Sequence, residues 1–426
     1  MAIELSNLTF TEQDDVVPQS GVEEILNTGI ANTLAGKDSI TGDATNSISG
    51  ETNGIYNSGT LNTDDGNDII TGIFNSPIND PFTGSGIYNV GGIIDTGEGN
   101  DILTGIGIYR GIVGQSGTLD TGNGNDIITG TGFFGIENNW DIFNTGDGDD
   151  IITGIGTQFG GILNSGPINT GAGNDIISGT TSRGSGIQNS SSSFNTGEGN
   201  DIITAVGTDY IIYNGGAINT GDGDDFIIAE EANGSSFPLY SSANYGTINT
   251  GNGNDSISLQ GGLYNTGGGM FLGEGNDFLT LTPPKDDIPN RALVNTSILE
   301  TGDGDDIITT SGFIDNNAVF GGGVINMGNG KDSLIAEGGF DGTGNVFLGN
   351  GKDYLKGFGS GEFSGGNGND TLELTSGSYT VGRWYTAVTF TKGSTIMITS
   401  EFEKLIAGST TYDFTSLTKG QTITVA

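Results

Sequence analysis

The chain has 426 residues, of which 80 are glycine and 8 are proline, and it contains neither cysteine nor histidine. The missing Cys and His exclude disulfide bonds, zinc or copper sites built from thiolate or imidazole ligands, and catalytic units of the Ser-His-Asp or Cys-His type. With 52 acidic and 12 basic residues the formal net charge is -40, which argues against nucleic acid as a partner, because binding it requires a basic surface. Hard cations are the counter-charge that carboxylate and carbonyl oxygens prefer.

The N-terminal segment shows no targeting signal. Residues 1–7 have neither the basic n-region nor the apolar h-region of a Sec-type signal peptide, and no stretch of the chain approaches the ~18 apolar residues of a transmembrane helix. Residues 1–32 also lack the turn motif that fills the following part of the chain. Since the terminal repeats of a stacked fold must differ from the interior ones, residues 1–32 are predicted to form an N-terminal cap.

Residues 33–372 are organised by one motif, Gly-x-Gly-x-Asp, which occurs twelve times and is preceded by two less complete copies at 35–38 and 64–68. The aspartates follow one another at a mean spacing of about 25 residues, and a period of 20 to 50 residues indicates a solenoid, a propeller or an array. A propeller blade needs about 40 residues, and helical repeats need good helix formers, which this chain lacks. The repeat therefore predicts an all-β fold, a parallel β-solenoid of the β-roll or β-helix kind, with about 12–14 coils of ~25 residues.

Each coil has a short strand directly after its aspartate, and side chains on a strand alternate between its faces. The second residue of this strand is always apolar and is predicted to point into the solenoid: Ile70, Leu103, Ile128, Ile152, Ile177, Ile203, Ile227, Ile257, Leu279, Ile308, Leu334, Leu355 and Leu372. The first residue is predicted to point outward, and in seven successive strands it is apolar too: Ile69, Ile102, Ile127, Ile151, Ile176, Ile202 and Phe226. Because exposed apolar patches of this extent usually mark an interface, this column predicts lateral association. The alternative is that a variable loop, such as the one at 74–86, folds back over the column.

A second and a third apolar segment complete most coils, for example at 161–164 and 168–170. Segments of uneven length, at 74–86, 230–246 and 283–291, are predicted to be loops that leave one edge of the solenoid. Two recurring asparagine columns are predicted to form side-chain amide ladders: Asn57, Asn89, Asn164 and Asn189, and Asn144, Asn169, Asn195 and Asn219.

The glycine-rich turns stop after Asp370. The tail has the alternating character of ordinary strands at 379–381, 388–390, 396–398, 412–414 and 423–425. Its best helix candidate is 400–407, with Ser400 as the N-cap. Residues 373–426 are therefore predicted to form an antiparallel β cap at the C-terminal end.

A stack of Gly-x-Gly-x-Asp turns provides the kind of oxygen ligands that Ca²⁺ requires. The glycines allow a sharp bend with positive φ, carbonyl oxygens turn into that bend, and the aspartate adds a carboxylate at its exit. Ca²⁺ takes six to eight oxygens, whereas Mg²⁺ requires a tight octahedron and retains water, and a bound cation would also relieve the repulsion within the aspartate column. The predicted ligands of multiple Ca²⁺ ions, held between consecutive turns, are Asp68, Gly97, Gly99, Asp101, Gly122, Gly124, Asp126, Gly146, Gly148, Asp150, Gly171, Gly173, Asp175, Gly197, Gly199, Asp201, Gly221, Gly223, Asp225, Gly251, Gly253, Asp255, Gly273, Gly275, Asp277, Gly302, Gly304, Asp306, Gly328, Gly330, Asp332, Gly349, Gly351, Asp353, Gly366, Gly368 and Asp370.

These turns resemble the calcium-binding repeats of the repeats-in-toxin (RTX), or hemolysin-type, family, whose nonapeptide is G-G-x-G-x-D-x-U-x. Residues 365–372 match it in full, and most other copies have Thr in place of the first Gly, as at Thr121. The family's nonapeptides usually run in tandem, whereas one motif falls in each coil here, so calcium is expected on one edge only. The resemblance covers about residues 33–372. It implies a secreted, extracellular protein, and the tail at 373–426 is similar to the C-terminal type I secretion signal of secreted cyanobacterial members.

The expected function is that of a non-enzymatic calcium-binding protein that folds on binding Ca²⁺ and contributes to a surface layer, sheath, filament or matrix. Its expected partners are calcium, further copies of the chain, and a cell-surface polysaccharide.

An EF-hand is not predicted, because its loop pattern and flanking helices are missing. The alternatives are a carbohydrate-binding solenoid, a secreted hydrolase, which is less favoured, and an ice-binding solenoid. The ice-binding alternative uses a threonine column, Thr71, Thr104, Thr129, Thr153 and Thr204, that is interrupted by Ser178, Ala229 and Leu259.

Overall fold

The computed structural model describes residues 2–18, 24–45, 53–75, 84–232, 241–285, 290–317 and 323–426. Within these ranges the regular elements are β-strands, apart from two 3-10 helices at Leu5–Asn7 and Phe414–Ser416, and neither is long enough to cross a membrane. The chain divides into two compact units, Met1–Gly221 with Ile228–Ser236, and Asp222–Ile227 with Phe237–Ala426. Each unit contains a stack of parallel β-coils, so the predicted fold class, an all-β parallel solenoid, is confirmed.

In the first unit a coil contributes three strands. The strands that follow the turns are Val16–Val17, Ser39–Asp43, Ile69–Ile73, Ile102–Ile106, Ile127–Asn139, Ile151–Asn164, Ile176–Thr181 and Ile202–Gly207, and the two longest of these include the second strand of their coil. The separate second strands are Ile3–Glu4, Ile25–Asn27, Asn53–Asn57, Ser85–Val90, Arg110–Gln115, Ser185–Asn189 and Ile212–Asn214. The third strands, which lead into the next turn, are Ile30–Asn32, Thr60–Asn62, Ile93–Asp95, Thr118–Asp120, Ile142–Asn144, Ile168–Asn169, Ser193–Asn195 and Ala217–Asn219.

The second unit repeats this plan. Its strands after the turns are Ser256–Leu259, Phe278–Leu281, Ile307–Thr310, Ser333–Ala336, Tyr354–Lys356 and Thr371–Leu374. Its second strands are Ser242–Asn244, Leu263–Asn265, Arg291–Asn295, Phe313–Asn316 and Phe340–Gly342. Its third strands are Thr247–Asn249, Gly269–Glu274, Ile298–Asp303, Val324–Asn326, Asn345–Phe347 and Gly361–Ser364, with two-residue strands in the turns at Asn329–Gly330, Asn350–Gly351 and Asn367–Gly368. The strand Phe226–Glu231 spans the boundary between the units.

Equivalent strands of successive coils pair in parallel and in register. In the first unit Leu103 is opposite Ile128 and Ile128 is opposite Ile152, and in the second unit Leu279 is opposite Ile308. Every member of the predicted inward column is at most 1% exposed, so that prediction is confirmed. Each Ile or Leu buried in this way contributes about 1.5–3 kcal/mol, which makes the column a continuous core along each stack.

The asparagine columns form hydrogen-bonded ladders. Asn164 Nδ2 donates to Asn189 Oδ1 at 2.9 Å, and in the other column Asn169 Nδ2 donates to Asn144 Oδ1 at 2.8 Å. The second unit has the same arrangement, with Asn265 Nδ2 donating to Asn295 Oδ1 at 2.8 Å. Buried amides require such partners, and in-register stacking provides them once per coil. The predicted amide ladders are therefore confirmed.

The N-terminal segment is wound in the register of the coils. Ile3–Glu4 pairs in parallel with the strand Ile25–Asn27, which pairs with Asn53–Asn57, and Val16–Val17 pairs with Ser39–Asp43. Residues 1–32, predicted as a cap, thus supply strands of the same kind as the repeats do. Of the predicted loops at 74–86, 230–246 and 283–291, residues 76–83, 233–240 and 286–289 lie outside the described residues, and Ser242–Asn244 in the second range is a strand.

The C-terminal tail forms the predicted antiparallel cap. Its strands are Gly377–Trp384, Ala387–Lys392, Thr395–Ser400, Lys404–Ala407, Thr410–Asp413 and Thr422–Val425. Gly377–Trp384 pairs antiparallel with two neighbours, while Thr395–Ser400 and Lys404–Ala407 pair in parallel with strands of the preceding coils. The prediction of a helix at 400–407 is wrong. Parallel pairing with Thr371–Leu374 buries Leu405 and Ala407 on one face, and this tertiary contact overrides the local helix signal.

Candidate metal centre

The backbone of each turn explains its two glycines. Gly122 and Gly124 have φ angles of 78° and 140°, which residues with a Cβ rarely adopt. A Cβ on Gly124 would also lie 1.6 Å from the carbonyl oxygen of Gly99 in the preceding coil. The turns therefore stack backbone against backbone, and the glycines are required for this stacking whether or not a cation is bound.

The turn aspartates form a buried column in each unit, and their side chains are at most 1% exposed. One carboxylate oxygen, Oδ1, accepts a hydrogen bond from the backbone N–H of the aspartate in the preceding coil. In the first unit Asp101 N–H donates to Asp126 Oδ1 at 2.8 Å, and Asp126 N–H donates to Asp150 Oδ1 at 2.8 Å. In the second unit Asp332 N–H donates to Asp353 Oδ1 at 2.9 Å. The predicted side-chain ligands are therefore brought together. One of the two oxygens of each carboxylate, however, already accepts a hydrogen bond from the backbone.

Both columns extend beyond the recognisable motifs. In the first unit Asp15 N–H donates to Asp38 Oδ1 at 2.7 Å, and in the second unit Asp370 N–H donates to Glu403 Oε2 at 2.7 Å. Glu403 was missed by the sequence analysis because it lies in the tail, outside any glycine-rich turn. No local signal could have identified it, since only the folding of the tail onto the last coil brings it to Asp370.

A second ladder runs through the residue that precedes each aspartate. Asn125 N–H donates to Asn100 Oδ1 at 2.8 Å, and Asn174 N–H donates to Asp149 Oδ1 at 2.8 Å. In the second unit Asp305 N–H donates to Asn276 Oδ1 at 2.8 Å. The preference for Asn and Asp at this position, to which the sequence analysis gave no role, is therefore structural.

The threonine that replaces the first glycine of the RTX nonapeptide is buried in the turn. Thr96 Oγ1 donates to the carbonyl oxygen of Thr121 in the next coil at 3.3 Å. The hydroxyl of Thr121 also lies beside the carboxylate of Asp126, where it lowers the pKa of that carboxyl. In four coils of the second unit the position before the first glycine of the turn is not threonine: Leu272, Met327, Leu348 and Gly365.

The second carboxylate oxygen of the turn aspartates is buried without a donor, in coils with and without this threonine. Within the described residues, no hydrogen-bond partner reaches the Oδ2 atoms of Asp101, Asp126, Asp150, Asp175, Asp277, Asp332, Asp353 and Asp370. Burying an ionised oxygen without a partner is costly. The protein must therefore either protonate these carboxyls or neutralise them with a cation.

Burial raises the pKa of the column carboxyls well above the usual value for aspartate. It raises the pKa of Asp101, Asp126 and Asp370 to about 6 and that of Asp277 to about 7. The pKa of Asp332 rises to about 8, because burial is reinforced by the charges of Asp306 and Asp353. The backbone N–H that each carboxylate accepts acts in the opposite direction but does not compensate for desolvation.

The donor set fits a hard cation that takes most of its ligands from the backbone. In the described part of the chain, no group of three or more acidic side chains could hold a metal ion by itself. The carbonyl oxygens of the turn glycines lie against the next coil, as for Gly97 and Gly99 beneath Gly122 and Gly124. Carboxylate and carbonyl oxygens from two stacked turns, completed by water, form the kind of set that Ca²⁺ accepts.

Comparison with known proteins supplies no argument about the fold or the function of this chain. No protein-family model and no curated protein matches the chain. Among solved structures, it is similar to a hyperactive, Ca²⁺-dependent, β-helical antifreeze protein from an Antarctic bacterium, with 17% identity, a TM-score of 0.40, and coverage of 88% of this chain and 83% of that chain. Similarity at this level carries no functional argument. The strand pairings themselves make this chain a parallel β-solenoid with a column of buried aspartates.

Proposed function

We propose that this chain is a non-enzymatic calcium-binding protein of the RTX kind, which folds when Ca²⁺ binds and serves outside the cell as a structural or adhesive component. The observation that carries the proposal is the column of buried carboxylates with raised pKa values, in which one oxygen lacks a donor in coils of both units, as in Asp126 and Asp332. In a chain of net charge -40, such a column needs positive charge to be stable at neutral pH.

Calcium fits this role better than magnesium does. A stacked turn offers oxygens at positions fixed by the backbone, and Ca²⁺ accepts six to eight oxygens in flexible geometry. Mg²⁺ requires a near-ideal octahedron and gives up its water reluctantly. When bound, the ion would supply charge neutralisation. The chain's own contribution is to hold the carboxylates at one per coil and to exclude water from them.

The direct test is the effect of calcium on folding. We expect a largely disordered chain in calcium-free buffer at pH 8 and a β-rich circular dichroism spectrum in millimolar Ca²⁺, because ions that bind only the folded state add their binding free energy to its stability. Equimolar Mg²⁺ should not restore the spectrum, and bound calcium is counted by elemental analysis of the desalted protein. A fully β-structured protein with an unchanged melting temperature in excess chelator would contradict the proposal.

Export by a type I system belongs to the same proposal. The tail at 373–426 would carry the C-terminal signal and would also close the second unit with its antiparallel strands. The two roles are compatible, because the chain is exported before calcium outside the cell folds it.

The outward apolar column supports association with further copies of the chain. In the first unit Ile102, Ile127 and Ile176 are 37%, 38% and 36% exposed, and Ile69, Ile151 and Ile202 are half-buried beside them. Their strands pair in register, so these side chains form one continuous stripe. A second copy would present the same uncharged surface, whereas most other faces of so acidic a chain repel each other.

Replacing Ile127 and Ile151 by serine should weaken self-association in calcium while leaving calcium-induced folding nearly intact, because both side chains lie on the outer face. Sedimentation velocity over a concentration series measures the change. The matched control is Ile142→Ser, which removes an exposed isoleucine (49%) from a third strand on another face and should leave association unchanged. A wild-type protein that is monomeric at all concentrations would refute the association.

A further inference from the structure

The second unit contains an open cleft between its last coils and the tail. The cleft has a volume of about 290 Å³ and is lined by residues of three neighbouring strands and of one hairpin. Asn345–Phe347, Gly361–Ser364 and Thr395–Ser400 pair in parallel and form its floor. The hairpin of Gly377–Trp384 and Ala387–Lys392 forms its wall.

Strand alternation determines what the floor presents. Val346, Phe363 and Thr399 point inward and are at most 3% exposed. The residues on either side of them point outward in two rows across the three strands: Asn345, Glu362 and Ile398, and Phe347, Ser364 and Ser400. The floor is therefore a mixed surface on which an exposed phenylalanine ring lies among amide, carboxylate and hydroxyl groups.

The wall carries two exposed aromatic rings. Trp384 is 58% exposed and Tyr385 is 93% exposed, and their ring centroids are 6.1 Å apart with an interplanar angle of 46°. Neither ring is buried in a core. Large aromatic side chains left in solvent in this way mark surfaces that receive a ligand.

The hairpin turn holds Tyr385 in a strained conformation. Trp384 is opposite Ala387, so two residues connect the strands, and such turns favour Gly, Asn or Asp where φ is positive. Tyr385 has a φ of 54°, which costs a residue with a Cβ about 1–2 kcal/mol. Since the ring gains almost no burial in return, the strain points to a functional role for this side chain.

The polar groups around these rings lack partners. Within the described residues, the side chains of Asn345, Glu362, Trp384, Tyr385 and Ser400 make no hydrogen bond or ion pair, although Ser364 Oγ donates to Glu401 Oε2 at 2.5 Å. The cleft therefore offers exposed aromatic faces together with several free donors and acceptors. This combination suits a ligand with an apolar C–H face and a rim of hydroxyl groups.

We propose that this cleft binds an uncharged saccharide, with one sugar ring lying on Trp384 and Tyr385, and with its hydroxyls bonded to Asn345 and Glu362. An anionic polysaccharide is disfavoured by Glu362 and by the net charge of -40. A quaternary ammonium ligand would use the rings but could not use the amide and hydroxyl groups. The volume lies just below the usual range of about 300–1,000 Å³ for small-molecule sites, which fits one or two sugar units at the end of a longer chain. The site stands independently of the calcium proposal.

The two tryptophans of the chain provide the readout, because Trp140 is 2% exposed whereas Trp384 is 58% exposed. The full-length protein in calcium is titrated with soluble gluco-, cello-, xylo- and N-acetylchito-oligosaccharides while tryptophan emission is followed, and binding is confirmed by calorimetry. We expect a saturable change with at least one of these neutral series. Affinity should fall at least ten-fold in Trp384→Ala, and several-fold in Glu362→Gln and Asn345→Ala.

The matched control is Ile396→Ala, which removes a side chain 49% exposed on the strand Thr395–Ser400 but outside the cleft, and which should leave affinity unchanged. Circular dichroism in calcium verifies that each variant is folded. The proposal is overturned if no neutral oligosaccharide binds the wild type, if binding survives Trp384→Ala, or if only tetramethylammonium or heparin binds. A folded protein that binds saccharide equally well in chelator would support this site and contradict the calcium proposal.

Discussion

In calcium-free buffer, lowering the pH from 8 to 5 is expected to stabilise the fold. The turn aspartates have folded-state pKa values raised to about 6 for Asp101 and Asp126 and to about 8 for Asp150 and Asp332, whereas an unfolded aspartate has a pKa near 3.9. Between these values the folded state binds more protons than the unfolded state does. Stability is therefore fully present below about pH 4 and is lost as the pH rises through the folded-state values.

Protons and calcium ions should compete to neutralise the carboxylates of the aspartate column. At saturating Ca²⁺ the carboxylates are ionised and neutralised, so the melting temperature should depend much less on pH and calcium affinity should increase with pH. Thermal unfolding followed by circular dichroism at pH 5, 6, 7 and 8, with and without calcium, measures both effects. A melting temperature that rises with pH in calcium-free buffer would contradict the raised pKa values.

Asp332→Asn separates the charge of the column from its hydrogen bonds. An asparagine can still accept the N–H of Asp306 through Oδ1, as Asp332 does at 2.9 Å, but it carries no charge. We expect this variant to show more β-structure by circular dichroism than the wild type in calcium-free buffer at pH 8, and to bind calcium more weakly.

The matched control is Asp147→Asn, which removes an exposed charge at a position where asparagine occurs in other coils, such as Asn123 and Asn252, and should change neither property appreciably. If Asp332→Asn left calcium affinity unchanged and did not increase the β-structure in calcium-free buffer, the carboxylate would be a structural acceptor and not a cation ligand.

Gly124→Ala should destabilise the stacked turns strongly. Gly124 has a φ of 140°, and its Cβ would lie 1.6 Å from the carbonyl oxygen of Gly99, which belongs to the backbone and cannot move without separating two coils. We expect a loss of more than about 4 kcal/mol in the free energy of unfolding in calcium. Chemical denaturation measures this loss, and limited proteolysis locates the opening near the turn.

Gly420→Ala is the matched control. Gly420 also has a positive φ, of 86°, but a Cβ there would meet nothing within 4 Å. This variant carries the backbone strain alone, about 1–2 kcal/mol, so the difference between the two variants reports the steric cost of stacking. Similar losses in both variants would mean that the turns are not packed backbone against backbone.

The structure of the repeating coil could be predicted from the sequence alone. The period of about 25 residues, the alternation after each aspartate and the asparagine columns predicted a parallel solenoid, its inward column at positions such as Ile128 and Ile152, and its amide ladders. These features were readable because a solenoid repeats one local arrangement. Any requirement of the fold then recurs at the same position in every coil and stands out from the composition.

Only the tertiary structure decided how the polar atoms of the turn are used. The motif predicted aspartates and glycines as ligands, but not that Oδ1 of Asp126 accepts the N–H of Asp101, nor that Asp277 and Asp332 keep an oxygen without a donor. The tertiary structure also determined the secondary structure and the contacts of the C-terminal tail, which does not repeat. Glu403 completes the second column, 400–407 is strand and bend instead of helix, and Trp384 lines one cleft with Phe347 and Glu362. These contacts join residues that are far apart in the chain and occur once, so no periodic signal marks them, and they exist only when the tail has folded onto the last coils.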